Sequence, residues 1–236
     1  MQQENLDQLS NPLFNTDHIV VYPQGFLNHW QPGPYATSNA SDLDFTAALL
    51  PHLQNTFCIN SNRIYATGKS VGGGFVSALA CDPHLGPQFA AFAPVSGAYY
   101  WDTPSNHTAC DPGPRTPNNQ APVLEFHGLN DTTIPYDGGW HQGVDLPNVG
   151  MWAGWWKVRN GCSADQGPNV IKSFGGNVER IVYGGCAVEH WKIAGLGHAW
   201  PSTLPNSDNS QGTYVNATPV IVDWFRGHSL GSSLIG

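Results

Sequence analysis

The stretch from Asn62 to Cys81 constrains this chain more than any other. A short β-branched and aromatic run, NRIYATG (Asn62–Gly68), passes directly into Gly68-Lys69-Ser70-Val71-Gly72, and the following GGGFVSALAC (Gly72–Cys81) reads as a helix despite its glycines. A bare G-x-S-x-G recurs by chance, but at a strand-to-helix junction it is the pattern of a nucleophile elbow. The turn there is sharp enough to strain the nucleophile's backbone, and the glycines are needed because strand and helix approach too closely for side chains. Such a junction lifts the serine Oγ clear of the sheet. It also turns the next backbone N–H, that of Val71, toward the place an oxyanion would occupy. Ser70 is thus the candidate nucleophile, on a sheet whose strands feed helices.

The rest of the chain repeats that alternation. DHIVVYP (Asp17–Pro23) reads as a buried strand stopped by proline. Ser41 with Asp44 three residues on resembles a capping box, opening a helix with Phe45, Leu49, Leu50 and Leu53 at helical spacing. Pro51 is expected to kink or end its first part. FAAFAPVSG (Phe89–Gly97), PVLEFHG (Pro122–Gly128), ERIVYGG and VEHWKIAGL read as further strands, and Asn148–Asn160 and Thr218–His228 as helices. Short apolar strands alternating with helices predict an α/β protein with a mainly parallel sheet. At 236 residues the chain is one domain, with the proline-rich stretch 101–120 as an insertion rather than a linker.

Charge narrows the function. Seventeen acidic against nine basic residues leave a net charge of −8, which argues against nucleic acid or an anionic membrane as partner. No run of 18 apolar residues spans a membrane. The five cysteines form no CxxC and no zinc-type spacing, and nothing else in the chain implies a metal or organic cofactor. Asn39, Asn106, Asn130 and Asn216 open Asn-x-Ser/Thr sequons. With dispersed cysteines and few lysines, they point to a secreted, disulfide-bonded glycoprotein. Residues 1–16 have neither the basic start nor the apolar stretch of a signal peptide, so the natural beginning is expected to lie upstream.

A serine nucleophile needs a base, and the base an acid that fixes its tautomer. His198 lies late in the chain, in the glycine-bracketed loop Gly195-Leu196-Gly197-His198, directly after VEHWKIA. Asp131 follows PVLEFHG in the loop Gly128–Pro135, with Asp137 as a rival that reads equally well as a turn residue. His190, inside a strand, reads as structural, and His127 is placed to order the acid loop by a hydrogen bond.

With elbow, acid loop and histidine loop in place, the chain resembles the fungal feruloyl esterases of carbohydrate esterase family one. The carriers are YPQG (Tyr22–Gly25), FCINSNRIYATGKSVGGGF (Phe57–Phe75), FAPVSGAYY (Phe92–Tyr100), LEFHGLNDTTIPYDGG (Leu124–Gly139) and VEHWKIAGLGHAWPS (Val188–Ser202). The resemblance implies the α/β-hydrolase fold, secretion, and a Ser70-Asp131-His198 triad. It also implies release of ferulic and related hydroxycinnamic acids from feruloylated plant cell-wall polysaccharide, by a single catalytic domain over residues 1–236. Relatives begin with strands that have no counterpart here, one of which supplies a second oxyanion N–H, so the resemblance implies an N-terminally incomplete fold. Trp30, Tyr136 and Trp200 are candidates for holding the phenolic ring. The cysteine pairs expected are Cys81–Cys110 and Cys162–Cys186, each close in sequence and each closing a Gly/Pro-rich segment, with Cys58 left over. An acetyl-xylan esterase, a polyhydroxyalkanoate depolymerase and a catalytically silent polysaccharide-binding product are the alternatives.

Overall fold

The computed structural model describes residues 2–34, 36, 39–100, 110–114, 120–163, 165 and 167–231. The sequon at Asn106 and most of the 101–120 insertion lie outside the described residues. Six strands make one sheet in the order β1 (Tyr65–Lys69), β2 (Ala91–Val95), β3 (Val123–Gly128), β8 (Val188–Ile193), β7 (Val178–Tyr183), β6 (Asn169–Ser173). The first four are parallel, and β7 and β6 close the far side as antiparallel strands. A small antiparallel hairpin, β4 (Gly139–His141) and β5 (Val144–Leu146), stands apart from it. Sequence periodicity misses β6 and the hairpin, because neither carries a buried alternating face.

Period-two alternation assigns the two faces of the interior strands. On one face Phe92 and Val123 pack with Phe75, Leu79, Trp152 and Trp156 of helices α3 (Val71–Cys81) and α4 (Val149–Arg159). On the other, Ala91, Ala93, Val95, Leu124 and Phe126 pack with Ile221 and Phe225 of α5 (Ala217–Arg226). The α/β architecture with a mainly parallel sheet is therefore present. Asn160 ties together the segments entering β3 and β8: the carboxamide accepts from Ala121 N–H and donates to the Ala121 and Cys186 carbonyls, all at 2.7–2.8 Å. The disulfides are Cys81–Cys110 and Cys162–Cys186, and Cys58 is free and exposed.

Three local expectations need correction. Asp17–Pro23 forms no strand: Ile19 and Val21 are exposed, and the backbone there is held instead by the Asn15 carboxamide, which donates to the His18 carbonyl and accepts from its N–H. Helix α2 (Asp42–Thr56) runs through Pro51 without ending. Ser41 does cap it, accepting from Asp44 N–H at 3.1 Å, but Asp42, Thr46 and Leu50 form the buried side while Phe45 is exposed. The polar residues turn inward because Asp42 accepts from Gln31 N–H and Thr46 donates to the Asp42 carbonyl.

Candidate active site

The parallel strands bring their C-terminal ends to one side, and Ser70, Asp131 and His198 follow β1, β3 and β8 there. Ser70 has φ 59° and ψ −124°, a backbone conformation L-residues rarely adopt, costing about 1–3 kcal/mol. Three backbone hydrogen bonds hold it: its N–H donates to Val95, and its carbonyl accepts from Gly74 and Ala98. The glycines permit the approach. A Cβ on Gly68 would lie 2.7 Å from the Gly72 backbone, and one on Gly74 only 2.2 Å from the Ala98 carbonyl oxygen. Val71 opens α3, so its N–H belongs to the first helical turn, whose donors lack intrahelical acceptors. Beside it, Lys69 pairs with Asp208, pinning the loop after His198 to the elbow.

Asp131 is buried and fully engaged. Its Oδ1 accepts from the Thr133 and Ile134 N–H groups, both at 2.8 Å, and its Oδ2 lies 2.7 Å from His198 Nδ1. Burial alone would raise this carboxyl, but hydrogen bonds from His127 and His198 outweigh it and hold the group well below the usual carboxylate range. With Nδ1–H donating to that carboxylate, His198 presents Nε2 as an acceptor. The two loops are stitched together by Leu129 N–H to Ile193 O (2.9 Å) and Asn130 N–H to Leu196 O (3.0 Å). Asp137 is exposed and serves its turn, accepting from the Asn148 carboxamide at 3.3 Å.

Of the three aromatic candidates one is buried in the core and two are partly buried. Trp200 is 1% exposed and donates its indole N–H to Thr218 at 3.0 Å, so it is a core residue and cannot hold a phenolic ring. Trp30 stacks on Phe75 with ring centroids 5.1 Å apart, packing a loop against α3. Tyr136 commits its hydroxyl to His190 Nε2 at 2.9 Å and stacks its ring on that imidazole. The exposed aromatic on this loop is Trp140, in the hairpin whose Val144 and Leu146 pack with Val71. Sequence reasoning missed Glu125, which is wholly buried between His127 and His190. Its signal was an acidic residue inside an otherwise apolar strand. Among the described residues, no group of His, Cys, Asp and Glu is arranged to hold a metal.

No protein-family model matches the chain. In sequence it is similar to feruloyl esterase B of Piromyces equi, at 30% identity over 209 residues, which is 84% of this chain and 37% of that protein. It is similar to feruloyl esterase C of Emericella nidulans at 30% over 169 residues, 72% of this chain and 52% of that protein. Feruloyl esterase D of Neurospora crassa matches at 28% over 174 residues, 71% and 48% of the two. The chain thus spans from 37% to 52% of these relatives. Among solved structures, acetyl xylan esterase from Aspergillus awamori superposes with a TM-score of 0.52 at 17% identity, over 78% of this chain and 66% of that one. This likeness shows the fold, that of an α/β-hydrolase, and the sequence matches carry the resemblance to feruloyl esterases.

Proposed function

We propose that this chain is a serine carboxylic ester hydrolase that releases ferulate and related hydroxycinnamates from feruloylated plant cell-wall polysaccharide. His198 Nε2 takes the Ser70 proton as Oγ attacks the ester carbonyl, and Asp131 holds the imidazole and stabilises its cation. The Val71 N–H donates to the oxyanion of the tetrahedral intermediate. Collapse expels the sugar hydroxyl, which regains a proton from His198, and leaves a feruloyl ester on Ser70. Water, deprotonated by His198, then frees the acid. None of these steps calls for a metal or organic cofactor.

The observation that carries this reading is the strained Ser70 backbone at the end of β1, a cost that the turn into α3 sustains. The similarity to feruloyl esterases supports the acyl group, and two disulfides support an oxidising, extracellular location. Among the described residues no helix is long and apolar enough to cross a membrane. The test is a panel of methyl ferulate, acetylated xylan and polyhydroxybutyrate, alongside labelling by a fluorophosphonate. Turnover of methyl ferulate with stoichiometric labelling at Ser70 is expected. Preference for either other ester overturns the substrate, and no labelling overturns the enzyme.

A further inference from the structure

The His198–Asp131 pair is the outer end of a longer buried chain of ionisable groups. Glu125 and His127 alternate onto one face of β3, and Glu125 stands in register with His190 on β8. His127 Nδ1 lies 2.9 Å from Glu125 Oε1, and His127 Nε2 lies 2.9 Å from the Ile134 carbonyl and 3.5 Å from Asp131 Oδ2. The other Glu125 oxygen is 2.5 Å from His190 Nδ1, and His190 Nε2 meets the Tyr136 hydroxyl. Glu125, His127 and His190 are completely buried.

Counting protons leaves two states. A carbonyl oxygen and a carboxylate only accept, but a protonated carboxyl also donates. His127 satisfies both of its 2.9 Å contacts as an imidazolium beside an ionised Glu125, or as a neutral ring whose Nδ1 accepts from a protonated Glu125; the Asp131 carboxylate 3.5 Å from His127 Nε2 and His190 Nδ1 beside the other Glu125 oxygen favour the charged pair. His190 needs no such charge: Nε2 accepts from the Tyr136 hydroxyl, and Nδ1 stands beside Glu125 without a well-formed hydrogen bond. The other groups around His127 are the Tyr136 ring (5.9 Å between centroids) and, facing Glu125, the buried Tyr99 hydroxyl, while Lys192 lies over Tyr136. Neither tyrosine is ionised at neutral pH, since burial raises both hydroxyls further.

We infer that His127, charged by Glu125, is a positioning residue for the proposed triad: it braces the Asp131 carboxylate and offsets part of the negative charge that faces His198. This rests on the functional reading above. An unopposed buried aspartate beside a histidine stabilises the imidazolium and raises its pKa. A cation on the far side of the same carboxylate works against that rise, and its anionic partner lies farther off and cancels only part of the effect. Burial alone would lower the His127 imidazolium, but the bonds to Asp131 and Glu125 outweigh it and raise it to about 10, which agrees with the charged pair.

The experiment compares the wild type with the double substitution Glu125→Gln/His127→Gln, which removes the ion pair as a unit and leaves no orphan charge. Loss of this dipole should raise the His198 pKa above its wild-type value. Imidazole NMR reads that pKa without any turnover, and the acid limb of kcat/KM on methyl ferulate should move up with it. A purely structural role would lower kcat/KM evenly across pH and leave the His198 pKa in place; that result overturns the inference. If the wild type hydrolyses no ester, the functional reading fails while the His198 titration still decides this one. Should the double variant not fold, ring ¹⁵N spectra of the wild type at pH 7 serve instead: His127 must show two N–H groups, and a single one refutes the proposal.

Discussion

The two halves of the candidate site are held in place by different physics. Ser70 stands at the end of β1, an edge strand among the described residues whose positions are all only partly buried. Asp131 follows β3, an interior strand buried at every position. On the β1 side, geometry comes from the backbone: glycines that tolerate no Cβ and backbone hydrogen bonds that bracket a strained serine. On the β3 side it comes from side chains, with charges and hydrogen bonds that satisfy one another away from water. The first half should therefore break when volume is added, and the second when a proton or charge is altered.

The largest expected effect is on chemistry. Ser70→Ala should cost on the order of 10⁶ in kcat, as loss of a triad nucleophile does. A variant that retains a tenth of its activity on methyl ferulate removes Ser70 from the mechanism. Asp131→Asn should cost around 10⁴ by supporting the wrong His198 tautomer. Asp137→Asn, exposed and bonded only to Asn148, should change the rate by a few-fold at most. The reverse ranking in a side-by-side assay would move the acid to Asp137.

Next comes stability on the β1 side. Gly74→Ala places a Cβ 2.2 Å from the Ala98 carbonyl, so α3 must move, at a cost of about 3 kcal/mol or more. Gly72→Ala, where nothing lies within 4 Å of the new atom, should be neutral or slightly stabilising, since alanine is the better helix former. Urea melts of the two variants decide whether close approach, rather than glycine as such, makes the elbow. Equal destabilisation would refute the steric account. Disulfide loss should cost about 3–4 kcal/mol for either Cys81–Cys110 or Cys162–Cys186, whose sequence separations are 29 and 24, while Cys58→Ser should cost nothing measurable.

The same division explains what was legible in the sequence. The β1 half announces itself because backbone sterics leave local marks: glycines at fixed offsets around Ser70, and a cap at Ser41. The acid and histidine loops were legible from their place after strand-like runs. The Glu125–His127–His190 cluster was not, because β3 and β8 are brought together only by the sheet, and no local spacing encodes a cross-strand register. Trp200 misled for a related reason. A tryptophan beside a catalytic loop looks the same in sequence whether it faces a ligand or the core, and only its burial and its bond to Thr218 decide. Asp17–Pro23 misled because a β-branched run is a strand only where it finds a partner.

The remaining effect expected is a pH dependence of folding that only the β3 half should show. His127 has its folded pKa raised to about 10, against roughly 6.5 when unfolded. Its contribution to stability is therefore fully present below pH 6.5 or so and is lost as pH rises through 10. Between those limits the folded state binds a proton that the unfolded state has released, so stability falls by at most about 1.4 kcal/mol per pH unit. The carboxyls act in the opposite direction. Asp131 and Glu125 are held below their unfolded values, so their contribution is present above about pH 4 and is lost as pH falls through the lower folded values. Together they give a stability optimum between about pH 4.5 and 6.5. Other groups titrate too, Asp7 among them with its carboxyl raised by burial, so the quantity to measure is a difference. Melting temperatures of wild type and Glu125→Gln/His127→Gln, taken from about pH 2 to 10, should diverge most near the optimum and converge toward both ends. A constant offset would mean that the cluster packs without carrying charge, and the contrast between a steric half and an electrostatic half would then fail.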